Sequence, residues 1–244
     1  MTRSLWPPLG MQMSSRVNDQ PAFILRRRDW RNTSLILDLF TLDFGCISAV
    51  ARGGRRSPEK VRYQPFVWLS VCWSGYQELK SLISAESQVL AVNEKNYLAL
   101  LYINELIALF LPKGESSPAL FGRYHDLLKT AEGEIDEADL RRFELYLMRM
   151  LGYFPDITLD ADSGDEIKPE KFYQFVINSG FAECRHGACD AVSGDVVCAW
   201  INGDYQNSSV RRLARTVLRS TIDANLHGKA IKSREVYHDM LKRQ

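Results

Sequence analysis

The sequence predicts an α+β protein with an N-terminal five-stranded OB-fold barrel, a central α-helical domain and a small irregular C-terminal region carrying a basic helix. Three observations predict it. From Pro21 to Glu86 hydrophobic residues recur with a period near two, broken by turn residues at short intervals. After Asn93 the period becomes helical, in three segments joined by short loops. Charge is divided to match. Residues 1–80 hold 12 Lys and Arg against 6 Asp and Glu, residues 81–170 hold 8 against 17, and residues 171–244 hold 11 against 7. A basic start, an acidic middle and a basic tail suggest regions with different partners.

Ala22–Trp30, Ser34–Thr41, Gly45–Ala51, Phe66–Trp73 and Glu78–Glu86 read as five strands. Five short strands suit a small closed barrel, of which the OB-fold is the version that binds nucleic acid. An SH3-like barrel gives much the same pattern. In the first helix Tyr97, Leu98, Leu101, Tyr102, Leu106 and Leu109 share a broad face, and Glu105 within it must lie at the edge or find a partner. Ser117-Pro118 opens a second helix through Leu128. Asp136 caps a third, with Leu140, Phe143, Leu147 and Leu151 toward the core and Gly152 closing it. Beyond Asp156 the pattern is irregular, with strand-like pieces at Phe172–Ile177 and Val196–Ile201. A long helix from Ser208 to Leu226 and a short one over Lys232–Lys242 end the chain. The organisation is thus a flexible leader or overlong start over 1–20, a barrel over 21–90, helices over 91–155, and a region 156–244 that packs on the helical domain.

At 45% hydrophobic and 25% charged residues the chain can bury a sizeable core. Its longest apolar stretch, Tyr97 to Leu111, is interrupted by Asn104 and Glu105 and is too short to span a bilayer. Five cysteines without framework spacing or an export signal point to the reducing cytoplasm, at the nucleoid if the ligand is DNA, with Cys46 and Cys72 as buried core thiols. Phosphate-binding, dinucleotide and zinc-protease motifs are missing, which argues against an enzyme.

The strongest chemical feature is the loop Ala51–Arg62. Arg52, Arg55, Arg56, Lys60 and Arg62 fall within eleven residues, beside Gly53 and Gly54, which permit close backbone approach. With Arg26, Arg27, Arg28 and Arg31 in the same module, these groups can track a phosphate backbone and release its counterions. Tyr63, Phe66, Trp68 and Trp73 are possible stacking surfaces, although filling the barrel is the favoured role for them. Arg211, Arg212, Arg215 and Arg219 line one side of the late helix opposite Val210, Leu213 and Val217, a second polyanion contact or a solvated stripe. Cys184, His186, Cys189 and Cys198 lack the paired knuckles of a structural zinc site, so neither metal nor cofactor is expected. A Cys184/His186 nucleophile pair lacks an orienting group and any strand signal. Glu144 reads as a helix-surface carboxylate pairing with arginines.

In order and spacing, Thr33–Thr41, Gly45, Ala51-Arg52-Gly53, Gln64-Pro65-Phe66, Tyr102–Leu106, Leu140–Leu145, Leu151-Gly152-Tyr153 and Gly228–Glu235 resemble the bacterial RecO recombination mediators, along nearly all the chain from Phe23. The resemblance implies an N-terminal OB-fold, a helical centre and a basic C-terminal region. It implies binding of single- and double-stranded DNA, annealing of complementary strands, and work with RecR to load recombinase on coated single strands. It also implies contact with the acidic C-terminal tail of single-stranded-DNA-binding protein. Some members carry a four-cysteine zinc site, from which this chain departs. For the acidic tail the candidates are Arg123, Arg141 and Arg142, the last two inside a matching motif; pairing with Glu137 or Glu144 is the alternative. Competing readings are an RNA-binding OB-fold protein of translation or ribosome assembly and, more remotely, a cysteine- or metal-dependent hydrolase.

Overall fold

Eight strands and six α-helices follow from these patterns in a computed structural model that describes residues 16–56 and 62–242. Contacts divide them into two units, one of residues up to Val89 with Lys113–Ser117, the other of residues 90–112 with those from Pro118 onward.

In the first unit β1 (Arg16–Trp30), β2 (Ser34–Thr41), β3 (Gly45–Ala51), β4 (Val67–Ser74) and β5 (Leu79–Val89) close a barrel in the order β1-β2-β3-β5-β4. All pairings are antiparallel except β3 with β5, where Ser48, Ala49 and Val50 meet Leu79, Lys80 and Ser81. That connectivity is the OB-fold and resolves the ambiguity with an SH3-like barrel. Alternate residues, among them Ala22, Ile24, Leu37, Leu39, Ile47, Leu69 and Trp73, fill the interior. A bulge between Ile24 and Arg26 shifts the phase of β1 by one, so that Ala22 and Ile24 point inward before it and the even-numbered residues after it point outward. Lys113–Ser117 lies along β3, where the Gly114 N–H donates to the Cys46 carbonyl at 3.0 Å. Gly45, at φ 59, leaves room for it; a Cβ there would meet the Glu115 carbonyl oxygen at 1.9 Å.

The second unit holds α1 (Tyr97–Phe110), α2 (Pro118–Thr130), α3 (Glu137–Met150), α4 (Gly194–Ile201), α5 (Ser208–Asn225) and α6 (Lys232–Leu241), with a small sheet of β6 (Phe172–Val176), β7 (Gly180–Cys184) and β8 (Val192–Ser193). Asp136 and Asp139 form a reciprocal capping box on α3, and Gly152 at φ 74 ends it. The central and C-terminal regions therefore share one unit.

Several sequence readings are corrected. Arg16–Gln20 is not leader but the start of β1, paired to β4; residues 1–15 lie outside the described residues. Val196–Ile201 belongs to helix α4, because Val197 and Trp200, three apart, both reach the core and outweigh the β-propensity of the run. The inward face of α1 holds Leu100, Ile103, Ile107 and Phe110 together with Leu106, which the reading did include, while Tyr97 and Leu101 are exposed. A helix apolar nearly all round gives periodicity too little contrast to fix its phase. Cys184 ends a strand. Cys72 is only half-buried on the outer side of β4, where its sulfur accepts the Asp19 N–H at 3.4 Å.

Candidate nucleic-acid interface

The outward phase after the β1 bulge puts Arg26, Arg28 and Trp30 in one file on the barrel surface. Across the ladder Asp38 of β2 accepts from Arg26 Nε at 2.8 Å, from Arg28 at 3.4 Å and from the Ser48 hydroxyl at 2.8 Å. Both guanidinium groups are thereby oriented, yet the side chains stay 60% and 51% exposed. Arg27 points the other way and donates to the Tyr63 carbonyl at 3.1 Å, which brings the Arg62–Tyr63 segment to the same end of the barrel.

The start of the basic loop joins this end through the β1–β2 turn. Arg55 donates its backbone N–H to the Thr33 carbonyl at 3.0 Å and its guanidinium to the Arg31 carbonyl at 3.2 Å, and pairs with Asp29 at 3.2 Å. Arg31 heads that turn at φ 51, a region that side chains beyond glycine seldom adopt. Arg31, Arg52 and Arg56 have no carboxylate partner among the described residues. Tertiary structure thus gathers Arg26, Arg27, Arg28, Arg31, Arg52, Arg55, Arg56 and Arg62 at one end of the barrel, where Asp38 pairs with Arg26 and Arg28 and Asp29 with Arg55. Lys60 lies outside the described residues.

Of the proposed stacking aromatics, Tyr63, Phe66 and Trp73 are buried, and Trp68 is half-buried edge-on to Phe23 at 5.2 Å. Sequence reasoning passed over Trp30, which is 40% exposed beside Arg31. Its place next to a turn among arginines was the available signal.

The late basic helix is largely occupied within its own unit. Arg211 donates to the carbonyls of Tyr205 and Gln206 at 2.7 Å, Arg215 pairs with Glu137 at 3.5 Å and Arg219 with Asp223 at 3.8 Å. On α2 and α3, Arg123 lies over the Tyr146 ring at 4.1 Å, and Arg142 lies over Tyr205 at 4.9 Å while bonded to Asp139 at 3.3 Å. Arg141 is different: only 12% of its side chain is exposed, and it pairs at 3.1 Å with Glu144. Glu144 is a buried carboxylate and not a surface one, because it also accepts from the Tyr102 hydroxyl at 2.6 Å. Burial pushes its carboxyl above the usual range, opposed by Arg141 and Tyr102. Tyr102 in turn accepts from Arg234 at 3.2 Å, which reaches on to Asp223. Glu105 finds its partner at the first turn of α6, accepting from the N–H groups of Lys232 and Ser233 at 2.9 Å each.

The thiols are dispersed. Cys198 donates to the Ile167 carbonyl at 3.5 Å, Cys189 to Asp190 at 3.6 Å, and the His186 ring meets Phe172 edge-on at 4.5 Å. Among the described residues no three His, Cys, Asp or Glu side chains converge as a metal site. Burial, with Asp38 nearby, raises the Cys46 thiol to about 12.

Known proteins resemble this chain along most of its length. Residues 13–88 match the model for the recombination protein O N terminal, and residues 94–197 that for its C terminal. A DNA repair protein RecO of Methylococcus capsulatus is 40% identical over 228 residues, covering 91% of this chain and 94% of that protein. Proteins of the same name from Marinobacter nauticus and Dechloromonas aromatica are 34% and 32% identical, each over at least 92% of this chain and 96% of the relative.

Proposed function

The chain belongs to the recombination protein O family, and on that premise we propose that it is a DNA repair protein whose barrel binds DNA through its arginine-rich end. The observation that carries the reading is the gathering of eight arginines from β1, the β1–β2 turn and the loop after β3, of which three pair with the two aspartates there. Such a surface neutralises phosphates along a strand and reads no base edge, so affinity is sequence-independent and falls steeply with salt. A protein that holds two complementary strands in this way screens their repulsion and lets them pair. On this reading it anneals strands and, with RecR, helps load recombinase on coated single strands. The acidic tail of single-stranded-DNA-binding protein docks on the helical unit. Arg142 and Arg123, each with one guanidinium face against a tyrosine ring, offer their N–H edges to its carboxylates, whereas Arg141 is committed to Glu144.

The test measures both ligands on one preparation by fluorescence anisotropy. Changing Arg31, Arg52 and Arg56 together to alanine weakens DNA binding and makes the log–log salt slope shallower by about two to three units, at roughly 0.7–0.9 for each phosphate no longer neutralised. The tail peptide binds that variant as before. Arg142→Ala with Arg123→Ala does the reverse, lowering peptide affinity about ten-fold. An unchanged DNA slope in the triple variant would remove the barrel from the reading, and an RNA that competes as well as DNA would move it to RNA.

A further inference from the structure

We propose that Trp30 is a base-stacking residue that makes the arginine-rich end of the barrel favour unpaired over paired DNA, an inference that rests on the DNA-binding reading above. A single exposed apolar side chain is ordinary on a protein surface. Three observations set this one apart. Its 40% exposed indole occupies the last position of β1, in the same outward file as Arg26 and Arg28. Alternate strand residues are about 6.8 Å apart, so an extended single strand running along the file can set a phosphate against each arginine and a base against the ring. The Arg31 guanidinium stands 5.9 Å from the ring centroid, and Arg55 braces the same turn through the Arg31 carbonyl. The indole is thus held among cations that attract the strand. The other aromatic side chains proposed for stacking have gone into packing: Tyr63, Phe66 and Trp73 are buried, and Trp68 leans on Phe23.

The chemistry selects the ligand. A π-face stacks on any unstacked base, so the contact tolerates sequence but requires a base out of the helix. A duplex presents its phosphates to the same arginines while its bases remain stacked on each other. Phosphate contacts then serve both forms, and Trp30 adds affinity to one of them.

The full-length chain, with Trp30→Ala and Trp30→Phe variants, is titrated against a labelled oligothymidine and a labelled duplex at two salt concentrations. Trp30→Ala lowers single-strand affinity about ten-fold, within the span known for one base–aromatic stack. Duplex affinity changes less than two-fold, and both salt slopes stay as in the unmodified chain, since every arginine still faces its phosphate. Trp30→Phe keeps most of the single-strand affinity. Equal losses on both ligands, or an unchanged single-strand affinity, overturn the proposal and leave the indole to a protein partner. A wild-type chain that binds neither oligonucleotide instead overturns the DNA-binding reading itself. Circular dichroism verifies the fold of each variant.

Discussion

In the barrel unit Asp38 gathers Arg26 and Arg28 yet leaves them 60% and 51% exposed, whereas in the helical unit Glu144 draws Arg141 down to 12%. The first arrangement holds guanidinium groups at an angle from which a phosphate can still reach them. The second removes both charges from solvent and ties α3 to Tyr102 of α1 and, through Arg234, to α6. Exposed pairs contribute about 0–1 kcal/mol to stability, so the barrel can present its arginines to a ligand without depending on them for its fold. A buried pair is costly to break, because the partner left behind has neither water nor counter-charge. Formal charge counted along a sequence is therefore a poor measure of charge available to a ligand. The helical unit contains a row of arginines on α5, and its own carbonyls and carboxylates use most of them.

The largest effect expected from this contrast is in Arg141→Ala. Stranding Glu144 costs about 3–5 kcal/mol of unfolding free energy, read as a lowered denaturant midpoint, with DNA affinity unchanged. The sign of its pH dependence follows from burial. A carboxyl whose folded pKa lies above its unfolded one favours folding most at pH below the unfolded value, and that contribution is lost as pH rises through the folded value. The deficit of Arg141→Ala is therefore greatest at neutral pH and shrinks in acid. A loss below about 1 kcal/mol would mean that the pair behaves as a surface one, and the contrast between the units would fail.

Asp160 sharpens the comparison from the other side. Its buried carboxylate accepts from the N–H groups of Asp162 at 2.9 Å, Ser163 at 2.8 Å and, across the loop, Glu183 of β7 at 2.8 Å. Burial pushes its carboxyl up, but these donors together hold it below the usual range. Asp160→Ala costs about 2–3 kcal/mol, the scale of hydrogen bonds to a charged group. Here the folded pKa is the lower one, so the contribution is present above the unfolded value and fades as pH falls through the folded one. The gap between wild type and variant closes in acid through loss of wild-type stability, which urea titrations at neutral and acid pH detect. A gap independent of pH would show that side-chain packing, and not charge, holds the loop.

The smallest effect expected is on DNA binding by the α5 arginines. Arg215→Ala with Arg219→Ala changes affinity less than two-fold, because each, although 58% exposed, faces a carboxylate, whereas at the barrel Arg26 and Arg28 share Asp38 and Arg31, Arg52 and Arg56 have none among the described residues. A loss comparable to that of the barrel triple variant would extend the DNA path to the helical unit and erase the distinction.

How much was legible beforehand depended on whether the signal was local. β2 and β3 were readable to the residue, since alternation and flanking turns are properties of adjacent residues. So were the Asp136 cap and the Gly152 stop, which need only a side chain and its own backbone. The basic loop was legible as a density of arginines. That Arg31 and Arg55 share a turn was not, because their contact is set by strand pairing across 24 residues. Nor could sequence separate Arg141 from Arg142. One is paired inside and the other open over Tyr205, and the choice was made by Tyr102 and Arg234, which lie 132 residues apart. Trp30 was hidden for the same reason: its neighbours in sequence describe a strand end, and only barrel closure shows that its ring stays open to solvent. By itself, then, the sequence determined most of the barrel strands and long helices, the Asp136 and Gly152 ends of α3 and the sign of each region's charge, through forces acting within a few residues. Burial decided which of those charges and rings remain free, and burial exists only once distant segments have packed.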